Sequence, residues 1–233
     1  MSTAQWDTPE RLSPFLRYLA TRAGDDDHIP SLNDLSKELK VSTAALREQL
    51  EVARSMGIVE VRPRTGMRRR AYSFSPAVLQ SLLYALMIAP ESFESFSDLR
   101  NHVEAAFWKQ AVSRLTAEDQ VQLIKLLEQA EAKMRHEPVQ IPHAEHRALH
   151  MTIYRRLENP FVTGLLEAYW DMYEAVGLAL YTDLAYLETV WQYHRRMVEA
   201  IIAGDVETGY QALVDHVDLI HQRPRRLSRQ RFE

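Results

Sequence analysis

His146 and His150 stand four residues apart in a stretch of helical periodicity, so both imidazoles leave one face of one helix and can reach a single metal ion. Alone the pair is a weak signal, because two histidines on a solvated helix face are ordinary. Glu145 is the nearest carboxylate, but one residue is about 100° of rotation, which turns it away from the face that His150 occupies. A second concentration of chemistry lies upstream, where Arg62, Arg64, Arg68, Arg69 and Arg70 crowd together with only Glu60 beside them. Arginines grouped in this way grip phosphate oxygens without reading base sequence. No HExxH helix, glycine-rich phosphate loop or nucleophile elbow accompanies either group, so the sequence points away from an enzyme.

The elements that must position these residues follow from local signals. Ser31, after Pro30, caps a short helix with Leu32, Leu35 and Leu39 on one face; Ser42 caps a second with Leu46, Leu50 and Ala53 at helical spacing. After Gly57 the period changes to two: Ile58, Val59 and Val61 predict a strand, residues 63–66 a turn, and residues 71–74 the return strand. Helix, turn, helix and hairpin in that order predict a winged helix-turn-helix whose second helix enters the major groove. The predicted DNA-contacting residues are Ser31, Asn33, Ser42, Thr43, Ala44, Arg47, Arg62, Arg64, Thr65, Gly66 and Arg68, with double-stranded DNA as the partner.

Downstream the pattern is helical throughout. Ser75 and Pro76 open a helix to residue 88, followed by helices over 96–115, 117–136 behind a Thr116 cap, 143–157, 161–181 and 186–202, and a last one ending near 222. The fold class expected is mostly α: an N-terminal winged helix with a small β-hairpin wing over 1–75, an all-helical antiparallel bundle over 76–222 that binds an effector and dimerises, and a patternless basic tail over 223–233. A length of 233 residues with 46% hydrophobic content suits two such domains, and the formal charge of −4 makes the arginine-rich wing a local patch on an acidic molecule. No cysteine, no signal-like leader and no apolar run near the roughly 20 residues of a membrane span lead to the expectation of a soluble cytoplasmic protein without a membrane role.

Residues 29–66 resemble the winged-helix domain of GntR-type bacterial transcription regulators. Ile29, Pro30, Ser31 and Leu35 match the first family motif, with Leu32 and Asn33 where Glu and Arg are usual. Arg47, Glu48 and Leu50 match the second, with Thr43 replacing an arginine and Leu46 a valine. Two arginines that contact DNA in the family are therefore absent, and the run Arg68 to Arg70 is expected to restore the charge. The helical part resembles the FadR-like (FCD) branch of the same regulators. The resemblance rests on Asp98-Leu99-Arg100 with Val103-Glu104, on His150 nine residues before Asn159-Pro160, and on His194 followed by Ala200 to Asp205.

That resemblance adds His194 and His216 to His146 and His150, giving four imidazoles from three helices as metal ligands. His146 stands where the family has an aspartate. An imidazole in place of a carboxylate removes one negative charge and favours Zn²⁺, the first choice here, or Ni²⁺ or Co²⁺ over the harder Mn²⁺ and Mg²⁺. The resemblance implies a homodimer on operator DNA, in the bacterial cytoplasm, that responds to a small carboxylate effector. The alternative is a DNA-binding protein whose helical domain only dimerises, or binds an anion without metal. Arg100 either clamps the effector or forms a surface pair with Glu104 at i+4. Tyr193, with Tyr169, Trp170 and Tyr173, either lines the pocket or belongs to the core. His102, His136, His143 and His221 receive no role.

Overall fold

The structure, a computed structural model, describes residues 11–22, 27–64, 66–175 and 183–219. The chain divides into two compact units, Met1–Ser81 and Leu82–Glu233. The fold is mostly α, with ten helices and a three-stranded antiparallel sheet among the described residues. The expected Thr65 contact, His221, the ends of the helices drawn to 181 and 222, and the tail over 223–233 lie outside them.

In the first unit, α1 (Pro14–Thr21), α2 (Leu32–Leu39) and α3 (Thr43–Ser55) enclose one apolar cluster. Phe15, Leu35, Leu46 and Ala53 are fully buried in it. The two serine caps form as the sequence signals: Ser31 Oγ accepts from the Asp34 amide at 3.3 Å and Ser42 Oγ from the Ala45 amide at 3.2 Å. Each satisfies a backbone donor that the first helical turn leaves unpaired. Lys40, left-handed at φ 54°, ends α2 and allows the short turn into α3. Periodicity did not announce α1 or β1 (His28–Ile29), since eight helical residues leave a short pattern and a two-residue strand is defined only by its pairing.

The wing corrects one expectation. The return strand is β3 (Gly66–Arg69), not residues 71–74, and it pairs with both β2 (Val59–Arg62) and β1 in the order β1-β3-β2. Arg64 and Gly66 both take positive φ, 69° and 78°, and the reversal is tight enough to pair Arg62 with Gly66 directly. Met67, opposite Ile29 and Val61, supplies the strand's inward apolar residue. A strand with one apolar residue among arginines carries too little alternation to be read in advance.

The second unit builds its core from α5 (Ser92–Val112), α6 (Ala117–Met134), α7 (His143–Tyr154), α8 (Pro160–Ala175), α9 (Leu184–Ala203) and α10 (Val206–Asp218). α5 starts four residues before the expected 96, because the Ser92 and Phe93 amides bond back to Ala89 and Pro90 and the helix begins straight after the proline. α7 ends three residues early at a tight Leu157-to-Tyr154 turn. Asn159 then caps α8, accepting from the Phe161 and Val162 amides. Thr116 and Asp119 form a capping box on α6; the covered Asp119 carboxylate also takes Arg156 and Arg155 from beyond α7, and these hydrogen bonds, Arg156 foremost, hold it far below the usual carboxylate range. α4 (Ser75–Ile88) crosses the division between the units and contains no charged residue.

Gly57 follows the C-cap of α3 at φ 69°, and a Cβ there would lie 2.6 Å from Pro76 Cγ. Gly57→Ala therefore combines a left-handed backbone with a clash, and the expected loss is about 1–3 kcal/mol. Chemical denaturation followed by circular dichroism measures it, and an unchanged midpoint would contradict the close approach.

Candidate metal centre

Three helices bring the histidines to one place. His146 and His150 leave α7 one turn apart, His194 projects from α9 and His216 from α10. Gly204, at φ 71°, closes α9 with a left-handed cap, so that α10 turns back along it. α10 is held close to α5 by Trp108, whose indole donates to the Val206 carbonyl at 3.0 Å. Gly209 faces the same ring, and any Cβ there would lie 2.8 Å from Trp108 Cζ2. His194 and His216 consequently meet with ring centroids 4.3 Å apart, and His146 reaches His194 at 4.6 Å.

One ligand atom from each of the four imidazoles lies within 4.8 Å of all the others. His150 Nε2 and His194 Nε2 stand 3.1 Å apart. Two nitrogens bound at 2.0–2.1 Å to one tetrahedral ion would be separated by about 3.3 Å, so this pair needs little adjustment. His146 Nε2 is buried and has no hydrogen-bond partner among the described residues. Burial, followed by the mutual repulsion of the rings, pushes His146 and His194 well below the ordinary histidine range; burial also lowers His150, against the pull of Glu104. Rings that stay neutral keep a lone pair for a metal, and the donor set fits a borderline transition ion.

A buried ion pair fixes the first of these rings. Glu104 and Arg100, one turn apart on α5, are both buried and meet at 2.9 Å. His150 Nδ1 lies 3.1 Å from Glu104 Oε1 and 2.9 Å from Arg100 Nη2. An ion on Nε2 requires the proton on Nδ1, where Glu104 accepts it, and Arg100 Nη2, itself a donor, would then turn from Nδ1 to the other carboxylate oxygen. Burial alone would raise the Glu104 carboxyl, but Arg100 and His150 hold it below its ordinary value. Tyr154 adds a hydrogen bond to the Glu104 carbonyl at 3.0 Å. Trp170 and Trp191 wall the cluster, with centroids 4.7 and 6.1 Å from the His146 ring.

Several site residues stand differently from their sequence reading. Arg100 does pair with Glu104, but deep inside the domain and not on its surface, because both belong to the buried stripe Ser97, Arg100, Asn101 and Glu104 of α5. That stripe, spaced i, i+3, i+4 and i+7, was the available signal for Glu104 as the group orienting His150. Tyr193 is half-buried, with the Arg196 guanidinium 5.5 Å over its ring. Glu145 pairs with Lys133 at 2.7 Å and stays out of the cluster. His143 bonds Glu174 and stacks on Tyr173, while His102 and His136 are exposed.

On the N-terminal unit, Ser31, Asn33, Ser42, Ala44, Arg47, Arg62, Arg64, Gly66 and Arg68 are exposed and Thr43 is half-buried. The arginine run is not a uniform substitute for the missing charge. Arg69 shares the inward face with Met67 and Val59, and it binds the Arg22 and Leu19 carbonyls and Asp27. Strand alternation leaves Arg68 and Arg70 outward. Arg62 is partly neutralised by Glu60 at 2.7 Å.

Residues 95–219, just over half of the chain, match the FCD domain family. LutR, an HTH-type transcriptional regulator of Bacillus subtilis, is 22% identical over 200 residues, covering 82% of this chain and 88% of its own. NedR, a transcriptional regulatory protein of Micromonospora viridifaciens, is 34% identical over 70 residues, 30% of this chain and about half (51%) of NedR's length. Among solved structures, Streptococcus agalactiae GntR superposes with a TM-score of 0.61 at 16% identity, covering 89% of this chain and 95% of that one. E. coli McbR/YncC gives 0.50 at 20% identity, with coverages of 90% and 98%.

The depressed histidines make a pH prediction for chelator-treated protein. An unfolded histidine takes up a proton near pH 6.5, whereas buried His146 and His194 resist it. Their stabilisation is complete above that value and is lost as pH falls below it, by up to about 1.4 kcal/mol per histidine per pH unit. Denaturation midpoints between pH 7.5 and 5.5 should fall accordingly; a flat profile would show that the rings are not held neutral.

Proposed function

The chain belongs to the GntR-type transcription regulators that carry an FCD domain, and from that membership we propose that it is a metal-dependent, ligand-responsive regulator acting as a homodimer on operator DNA in the bacterial cytoplasm. The observation that carries the proposal is the convergence of four imidazoles, three of them buried, on one point. His146, His150, His194 and His216 hold a divalent ion, with Zn²⁺ ahead of Ni²⁺ and Co²⁺ on donor chemistry and availability. An ion held there would supply a Lewis-acidic position for an oxygen of a small carboxylate effector by expanding from four to five ligands. Glu104 orients His150, and Arg100 and Tyr193 belong to the same effector region. No catalytic role is assigned to the cluster.

In the N-terminal unit, Arg47 and its neighbours Thr43 and Ala44 at the start of α3 face base edges, and Arg62, Arg64, Arg68 and Arg70 on the wing hold phosphate. The charge-free α4, with Tyr84, Met87 and Ile88 about two-thirds exposed or more (70%, 67% and 67%), supports association with a second copy, which would cover an apolar surface that water does not favour. Effector binding changes the spacing of the two winged helices through this connector, which requires only about 1–3 kcal/mol of coupling. A metal-free anion site is the second reading. It is favoured by the 3.1 Å contact between His150 and His194, which an N–H···N hydrogen bond also satisfies.

His150→Ala and His194→Ala should each reduce zinc content from one per chain towards zero while the mass remains that of a dimer, as read by native mass spectrometry. Full metal content in either variant would eliminate the site. Arg47→Ala should weaken binding to a duplex selected from a random pool by about tenfold or more, with zinc content unchanged. Equal affinity in fluorescence anisotropy would remove Arg47 from the interface.

A further inference from the structure

We propose that the first turn of α3 reads thymine, through contact of the Ala44 β-methyl and the Thr43 γ-methyl with the 5-methyl group that thymine presents in the major groove. The inference rests on the placement of α3 at base edges above and deepens it by naming the base and the contact.

The helix has two faces. Leu46, Leu50 and Ala53 are buried in the core of the unit, whereas Ala44, Arg47, Glu48 and Glu51, at i, i+3, i+4 and i+7, are all exposed and form one stripe on the side away from it. A helix of this kind meets base edges with its N-terminal residues, so the order along the stripe decides what is read. Ala44 leads the stripe and offers only a methyl group. Thr43 beside it is half-buried and adds a second methyl and one hydroxyl. The Ser42 hydroxyl before them is engaged at the cap, where it accepts from the Ala45 amide at 3.2 Å.

Charge contributes little to reading at this end of α3. The helix carries Arg47 and Arg54 against Glu48 and Glu51, which sum to zero, and Arg54 is held by Glu51 at 2.7 Å. Arg47, one turn beyond Thr43, has the planar fork that pairs with a guanine edge. The methyl groups ahead of it suit a different base. In the major groove thymine is distinguished by its C5 methyl, and covering that methyl with Ala44 and Thr43 removes apolar surface from water on both sides. Any other base would set a polar edge against the same methyls and lose the water that satisfied it. Wing arginines on phosphate cannot make this distinction, because the backbone carries no base methyl.

The test uses the full chain and the tightest duplex selected from a random pool. Thymines are replaced one at a time by uracil, which keeps every hydrogen-bonding group and removes only the methyl, and affinity is read by fluorescence anisotropy. With wild-type protein, at least one replacement should weaken binding by about threefold or more, the worth of one buried methyl. Ala44→Gly and Thr43→Ser each remove one protein methyl; each should shrink that penalty, and the two together should abolish it. Because both duplexes meet the same variant, the ratio is insensitive to any loss of helix stability, and the wild-type scan needs no variant at all. Equal affinity for every uracil duplex, or a penalty that both variants retain in full, would overturn the inference while Arg47→Ala still weakens binding and keeps α3 at the base edges. A pool that yields no preferred duplex, or Arg47→Ala without effect, would overturn the placement of α3 itself, and the inference with it.

Discussion

Glu104 is a carboxylate without solvent, and the geometry of the helical unit follows from what is needed to keep it ionised. A buried charge that loses its partner costs several kcal/mol, so α5 and α7 must meet where Arg100 and His150 can both reach the same carboxylate. That contact orients the His150 ring and aims its Nε2 at His194. The remaining rings arrive by a separate route. Gly204 turns α10 back on α9, and Gly209 against Trp108 sets how closely α10 approaches α5. One side of the cluster is thus positioned by electrostatics and the other by backbone proximity.

The same neutrality that lets His146, His150 and His194 crowd together also makes them ligands. Were they charged, their repulsion and desolvation would open the bundle; uncharged, each retains a lone pair. At the opposite end of the chain the logic is reversed. Arginines at the wing remain in water, where alternation along β3 gives Arg68 to the exterior and turns Arg69 inward to carbonyls of the domain.

Much of this was legible in the sequence because it depends on short-range rules. Serine caps at Ser31 and Ser42, the capping box at Thr116, and i,i+4 histidines on α7 are each set by a few neighbouring residues. The convergence of His194 and His216 with them was not legible from spacing, since it depends on how three helices pack, and it came from resemblance. Besides α1 and β1, three features escaped. Residues 71–74 looked more strand-like than Gly66–Arg69, whose pairing is imposed by the tight reversal at Arg64 and Gly66. Arg69 looked like its neighbours because inward and outward faces depend on a register the sequence does not state. Glu104 looked like half of a surface pair because burial of an entire polar stripe is a property of the bundle and not of α5 alone.

The role proposed for the helical unit depends on an all-imidazole metal centre, and X-ray absorption at the zinc edge of the zinc-loaded protein tests it most directly. The expected first shell is nitrogen and oxygen near 2.0–2.1 Å, with outer-shell scattering that requires four imidazoles. A spectrum fitted by two or fewer imidazoles would contradict it, and so would protein that holds no zinc at all.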